Sequence, residues 1–174
     1  MYRWVLLFAI SLLWTPISSA QITEEVSDIT GEYRVASDDM NDLWIDTYAG
    51  DYGAYMPRYV SNPSLDRERW MIIFYGFTDE ETSMSDADNV YITIDGQQIQ
   101  PLDVTMRTRV LDDEIMEVAE TVYSQSIFTR MANAEEVQVD IGDETFELPD
   151  REEMRMILQT VNNQGEQTAS SDDD

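Results

Sequence analysis

Between Arg69 and Thr78 the chain reads RWMIIFYGFT. Drawn as a strand, this segment puts Trp70, Ile72 and Phe74 on one face and Met71, Ile73, Tyr75 and Phe77 on the other. A strand that is apolar on both faces has to be covered on both. It is therefore expected at the centre of a sheet, and the remaining elements have to be arranged around it.

Several neighbours show the alternation of half-buried strands. GEYRVAS, with Tyr33, Val35 and Ser37 on one side, is a weak first strand, SDDMND a loop and LWIDTYAG a second strand candidate. VYITIDGQQIQPL places Asp95-Gly96 between two short strands, and Asp-Gly supplies the positive φ values of a tight hairpin turn. VTMRTRV alternates again. DYGAYMPRYVSNPSLDRE carries a Gly and two Pro among its tyrosines and is expected to be irregular or edge structure. LDDEIMEVAETVYSQ has two readings. Ile115, Val118, Ala119, Val122 and Tyr123 fit a helix capped by Asp112 or Asp113. Alternatively Asp112-Asp113 is a hairpin tip, and Met116, Val118 and Val122 share one side of a strand.

From Ile127 the spacing turns helical, then alternating, then helical again. Ser126 can cap a short helix burying Phe128, Met131 and Ala132. Val137, Val139 and Ile141 alternate with polar residues, Gly142-Asp143 turns the chain, and Phe146 and Leu148 return antiparallel. Asp150 caps a last helix, with Glu153 completing the box and Met154, Ile157, Leu158 and Val161 as its buried stripe. This run, FTRMANAEEVQVDIGDETFELPD followed by the helix, resembles the C-terminal part of small exported bacterial domains of uncharacterised function. The matching residues are Phe128, Met131, Ala132, Ala134, Val137, Val139, Ile141 and Gly142. The resemblance spans about a fifth of the chain and its residues are mostly structural. It implies a strand for Glu114–Tyr123, and no catalytic residue or ligand.

The expected fold is α+β: mostly antiparallel sheet, as a sandwich or half-open barrel, with a short helix and a C-terminal helix packed on it. The expected organisation is a signal peptide over 1–20, a flexible N-terminus over 21–31, one β-rich domain over 32–161 and a disordered acidic tail over 162–174. The leader reading rests on Arg3, the apolar run Trp4–Trp14 and the small residues Ser18-Ser19-Ala20 before Gln21. The apolar run is too short for a bilayer, which takes about 20 residues. The product is thus expected to be exported, periplasmic or extracellular, with no stable membrane insertion.

Chemistry is bounded by what is missing. The sequence has no Cys and no His, and all ten of its basic residues are Arg. That removes Ser-His-Asp and Cys-His catalysis, the usual zinc, copper and haem ligand sets, disulfides and lysine Schiff bases. No glycine-rich phosphate loop is present, and no cofactor is expected. Against those ten stand 36 Asp and Glu, for a net charge of −26 and a pI near 4.1. The acids are spread along the chain, which fits adaptation to high salt; a GC-rich genome would also replace Lys by Arg. Such a surface repels nucleic acid and anionic lipid.

Two segments carry candidate site residues. Asp79, Glu81, Asp86 and Asp88 crowd one loop and offer the hard oxygen ligands of a weak calcium site, without the glycine and closing Glu of an EF-hand; a solvated acidic loop is the plainer reading. Trp44, Tyr48, Tyr52, Tyr55 and Tyr59 lie within sixteen residues and make either core or a binding surface. The expected function is a non-catalytic binding or structural module, with a protein partner favoured over a carbohydrate. The rival expectation is a small carboxylate-dependent hydrolase of glycosidase type, marked by an aromatic cleft holding two acids about 5–10 Å apart.

Overall fold

The computed structural model describes residues 21–43, 52–78, 90–111, 114–142 and 144–171. They form two antiparallel sheets with two helices packed on them, the α+β arrangement expected. The large sheet has strand order β1-β2-β4-β5-β9-β8, where β1 is Ile22–Val26, β2 Tyr33–Ser37, β4 Tyr52–Asn62, β5 Arg67–Thr78, β8 Asp103–Leu111 and β9 Glu114–Tyr123. A short β3, Asn41–Leu43, pairs with the far end of β4. The small sheet has order β11-β10-β6-β7: β6 is Val90–Ile94, β7 Gln97–Ile99, β10 Val137–Ile141 and β11 Glu144–Glu147. Helix α1 spans Gln125–Asn133 and α2 Glu152–Ser171.

The doubly apolar segment is β5, and it lies inside the large sheet between β4 and β9. Its even-numbered face is the core face. Trp70, Ile72 and Phe74 pack with Tyr55, Tyr59, Ala119 and Tyr123 from the adjacent strands. The small sheet and both helices close over this face. Phe74 meets Phe146 edge-on at 5.5 Å between ring centres, and Trp70 meets Phe128 at 5.3 Å. The small sheet contributes every second residue, Val90, Ile92 and Ile94 against Val137, Val139 and Ile141. Met154, Ile157 and Leu158 of α2 complete the core.

Turn chemistry behaves as its residues dictate. Asp95 and Gly96 both take positive φ, +48° and +79°, and Ile94 pairs with Gln97 across them. The Asp95 carboxylate also accepts the backbone N–H groups of Glu135 and Glu136, so the hairpin tip anchors the entry to β10. Asp150 accepts the N–H of Glu152 and caps α2.

Four expectations change. Residues 22–26 are not a free N-terminus but edge strand β1, whose five residues pair with β2. The 52–62 stretch is an internal strand rather than irregular or edge structure. Its proline is tolerated because β2 pairs with Arg58–Ser61 and β3 with Gly53–Tyr55, so Pro57 falls where β4 has one neighbour instead of two. The cap of α1 is Ser124, which accepts the N–H of Ile127, rather than Ser126. Helix α2 runs on to Ser171, through the segment expected to be a disordered tail. Gln, Glu and Ala there are adequate helix formers, and extending an existing helix avoids the nucleation cost. The strand implied for Glu114–Tyr123 is β9.

Candidate functional site: an arginine-lined concavity

The two tyrosines of the proposed aromatic surface whose side chains are described do not face solvent. Tyr55 is fully buried and Tyr59 is 4% exposed. Both occupy the core face of β4, opposite Phe74 and Trp70, and Tyr59 meets Trp70 at 4.5 Å between ring centres with the rings tilted. Tyr52 opens β4 and pairs with Phe77. Trp44 and Tyr48 lie outside the described residues, as do the four acids of the calcium reading, Asp79, Glu81, Asp86 and Asp88. Residues 1–20 also lie outside.

Tyr55 belongs to a buried polar group. Asn41 stands opposite it across β3 and β4, and Glu153 reaches the same place from the first turn of α2. Burial pushes the Tyr55 phenol well above the usual tyrosine range, and the charges of Glu153 and Asp150 push the same way. Burial likewise raises the Glu153 carboxyl, with Asp150 and Glu152 adding to it; its own N–H and the nearby Asn41 amide pull it back. That amide is close enough to act on the carboxyl, yet Tyr55 Oη, Asn41 Nδ2 and Glu153 Oε2 close no well-formed hydrogen bond among the described residues.

The opposite face of the large sheet is different in kind. Register places Arg34, Arg58, Arg69 and Arg107 on that face of β2, β4, β5 and β8, with Arg67 two residues before Arg69. These five line one concavity of about 420 Å³. Val60 and Met71 form its apolar floor and Leu65 stands at its lip, 60% exposed. Strands are about 4.8 Å apart and alternate residues about 6.7 Å, so the guanidinium groups form an array spread from β2 to β8 rather than a point. Long arginine stems can cover an apolar floor while their heads stay wet.

Two of the five are answered by acids. Arg34 pairs with Glu32 at 3.3 Å and Glu25 at 3.7 Å, and Arg107 with Glu120 at 3.4 Å. Arg58, Arg67 and Arg69 have no ion pair among the described residues. Arg34 Nε, Arg58 Nε and Asn62 Oδ1 are buried in the lining without a hydrogen-bond partner there. Arg58, Arg67 and Arg69 thus stand together without an acidic partner among the described residues. Guanidinium forks suit carboxylate and phosphate oxygens, which they bind with two parallel hydrogen bonds.

Sequence reasoning missed this site. The available signal was spacing: Arg67-x-Arg69 and Arg107-x-Arg109 each put two cations on one strand face. Which strands stand side by side was not readable from spacing. No helix among the described residues is long and apolar enough to cross a membrane. No family model, curated protein or solved structure matches the chain.

Proposed function

We propose that this protein is an exported, non-catalytic binding module suited to high salt, and that it holds an acidic segment of a protein partner in the arginine-lined concavity. The observation that carries the reading is the cluster of Arg58, Arg67 and Arg69, unpaired among the described residues, around an apolar floor in a molecule of net charge −26. Export is supported by the leader pattern of residues 1–20.

The lining supports a peptide over other anions. No aromatic ring is among its described residues, so it offers no platform for stacking a sugar or a base. The overall negative field penalises a long polyanion in proportion to its charge, whereas a short segment alternating acidic and apolar residues meets both arginines and floor. Glu32 and Glu120, the acids in the lining, are engaged in ion pairs with Arg34 and Arg107, which speaks against the hydrolase reading at this place. Partly buried pairs are screened less than exposed ones, so such contacts persist in salt.

The test is fluorescence anisotropy with a labelled peptide of alternating Asp and Leu, roughly eight residues long to cross the concavity as a strand. Saturable binding is expected, weakened about tenfold by Arg58→Ser and again by Arg69→Ser, each worth about 1.4 kcal/mol. Circular dichroism should show both variants folded. Wild-type protein that ignores the peptide, or prefers a sulfated polysaccharide, would overturn the assignment.

A further inference from the structure

The large sheet ends at β8, and among the described residues nothing pairs with the far side of that strand. An open edge presents a row of unpaired N–H and C=O groups, and natural proteins blunt it with Pro, Lys, bulges or short strands. β8 has none of the first two, and its ladder with β9 runs unbroken from Asp103 to Leu111. It also shows large apolar side chains to solvent. Val110 is 75% exposed, Leu111 45% and Val104 37%, with Leu102 at the foot of the strand 73% exposed.

We propose that β8 pairs antiparallel with β8 of a second copy, about a two-fold axis passing at Met106. The sequence of the edge is complementary to itself in this register. Asp103 faces Arg109 of the other copy, Leu102 faces Val110, Val104 faces Thr108 and Thr105 faces Arg107. Each pair occurs twice, because a two-fold interface repeats every contact. Neighbouring registers are poorer. Centring on Arg107 sets that cation against itself, and centring on Thr105 leaves Leu102 against Thr108 and Val110 against Gln100. The Met106 register brings the two most exposed of these apolar residues together and also opposes unlike charges.

The pairing makes one continuous sheet of both copies. Residues facing each other across β8 have the same parity, so the core faces of the two sheets lie on one side and the arginine concavities on the other. The two β5 strands then stand five strand spacings apart, about 24 Å. A dimer of this kind presents two anion-binding concavities on one surface and gains avidity for a partner with repeated acidic segments. The dimer itself does not depend on what the concavity binds.

Sedimentation equilibrium of residues 21–174 in about 1 M NaCl, where the Debye length is about 3 Å and repulsion between acidic copies is screened, reads the assembly directly. A dimer mass is expected. Leu102→Glu and Val110→Glu, both at exposed positions that leave the monomer folded by circular dichroism, should each raise the dimer Kd at least tenfold. At the lowest salt that keeps the fold, Asp103→Arg should weaken the dimer by setting like charges opposite each other, and adding Arg109→Asp should restore it. A monomer at 100 micromolar, on the order of the weakest useful interface, would overturn the proposal. So would a mass that grows past the dimer, as head-to-tail pairing of β8 with β1 would give, or a dimer indifferent to all four substitutions.

Discussion

Glu153 shows how one side chain acquires two incompatible duties. Its place in the first turn of α2 suits a negative charge, since unpaired N–H groups gather there. Its packing against Tyr55 and Asn41 leaves the residue 8% exposed, and that burial raises the carboxyl above its ordinary 4.5. The unfolded chain therefore gives up this proton first as pH rises. Stability is full for this group below 4.5 and falls as pH climbs through the raised folded value. Glu153→Gln should thus melt higher than wild type at neutral pH, and the gap should close below the ordinary carboxylate range. Melting temperatures of both proteins measured from about one unit below the carboxylate range to about four units above it check this. A gap independent of pH would show that the carboxyl is not the cause.

Among the elements, α1 is the one most dependent on others. It is nine residues long, too short to be stable alone in water. Its Ser124 cap and the buried side chains Phe128, Met131 and Ala132 fix one end and one face. Its C-terminal carbonyls are held from the start of α2: Arg155 donates to Ala132 O, and Arg151, just before that helix, donates to Ala134 O and also to Leu148 O just after β11. Cations at a helix C-terminus also suit its dipole. Arg151→Ala removes the link between α1, α2 and the small sheet, and should cost about 1.5–3 kcal/mol, the usual range for hydrogen bonds to a charged group. Arg151→Lys should recover little of it, because an ammonium cannot span both carbonyls as the fork does. Urea denaturation of the three proteins measures the difference, and a loss below about 0.5 kcal/mol would place α1 under the control of its apolar face alone. β9 shows why periodicity misled. Both its faces are partly covered, with Ala119 and Tyr123 on the core side and Val118 and Val122 on the other. A strand apolar on both sides places residues at i, i+3 and i+4 just as a helix does.

At the scale of the molecule, charge is segregated. Six arginines, the five of the concavity and Arg109, share the outer face of the large sheet, while the acids are distributed over the whole chain. We propose that the acid excess is suited to salt. Folding brings like charges together, and salt at about 1 M shortens the Debye length to about 3 Å, which removes most of that repulsion. The melting temperature should climb steadily from low salt to molar NaCl or KCl. A flat or falling curve would leave the acidic composition a matter of lineage rather than solvent.

The amino-acid order alone settled several features that depend on near neighbours. The doubly apolar run of β5, the Asp95-Gly96 hairpin, the β10 alternation and the α2 stripe each need only a few adjacent residues to be specified, and local sterics and side-chain period do the rest. The same order excluded thiol, imidazole and lysine chemistry outright. Tertiary structure decided what depends on distant partners. Tyr55 and Tyr59 went to the core because the register of β4 set them opposite Phe74 and Trp70, a pairing between segments that spacing cannot rank. Pro57 stayed within a sheet because β2 and β3 share one side of β4 and leave it a gap. Arg34, Arg58, Arg69 and Arg107 became one site because strand order brought together residues far apart in the chain. Side-chain period assigns a residue to a face of its own strand; only the closing of long loops between strands decides which faces become a common surface.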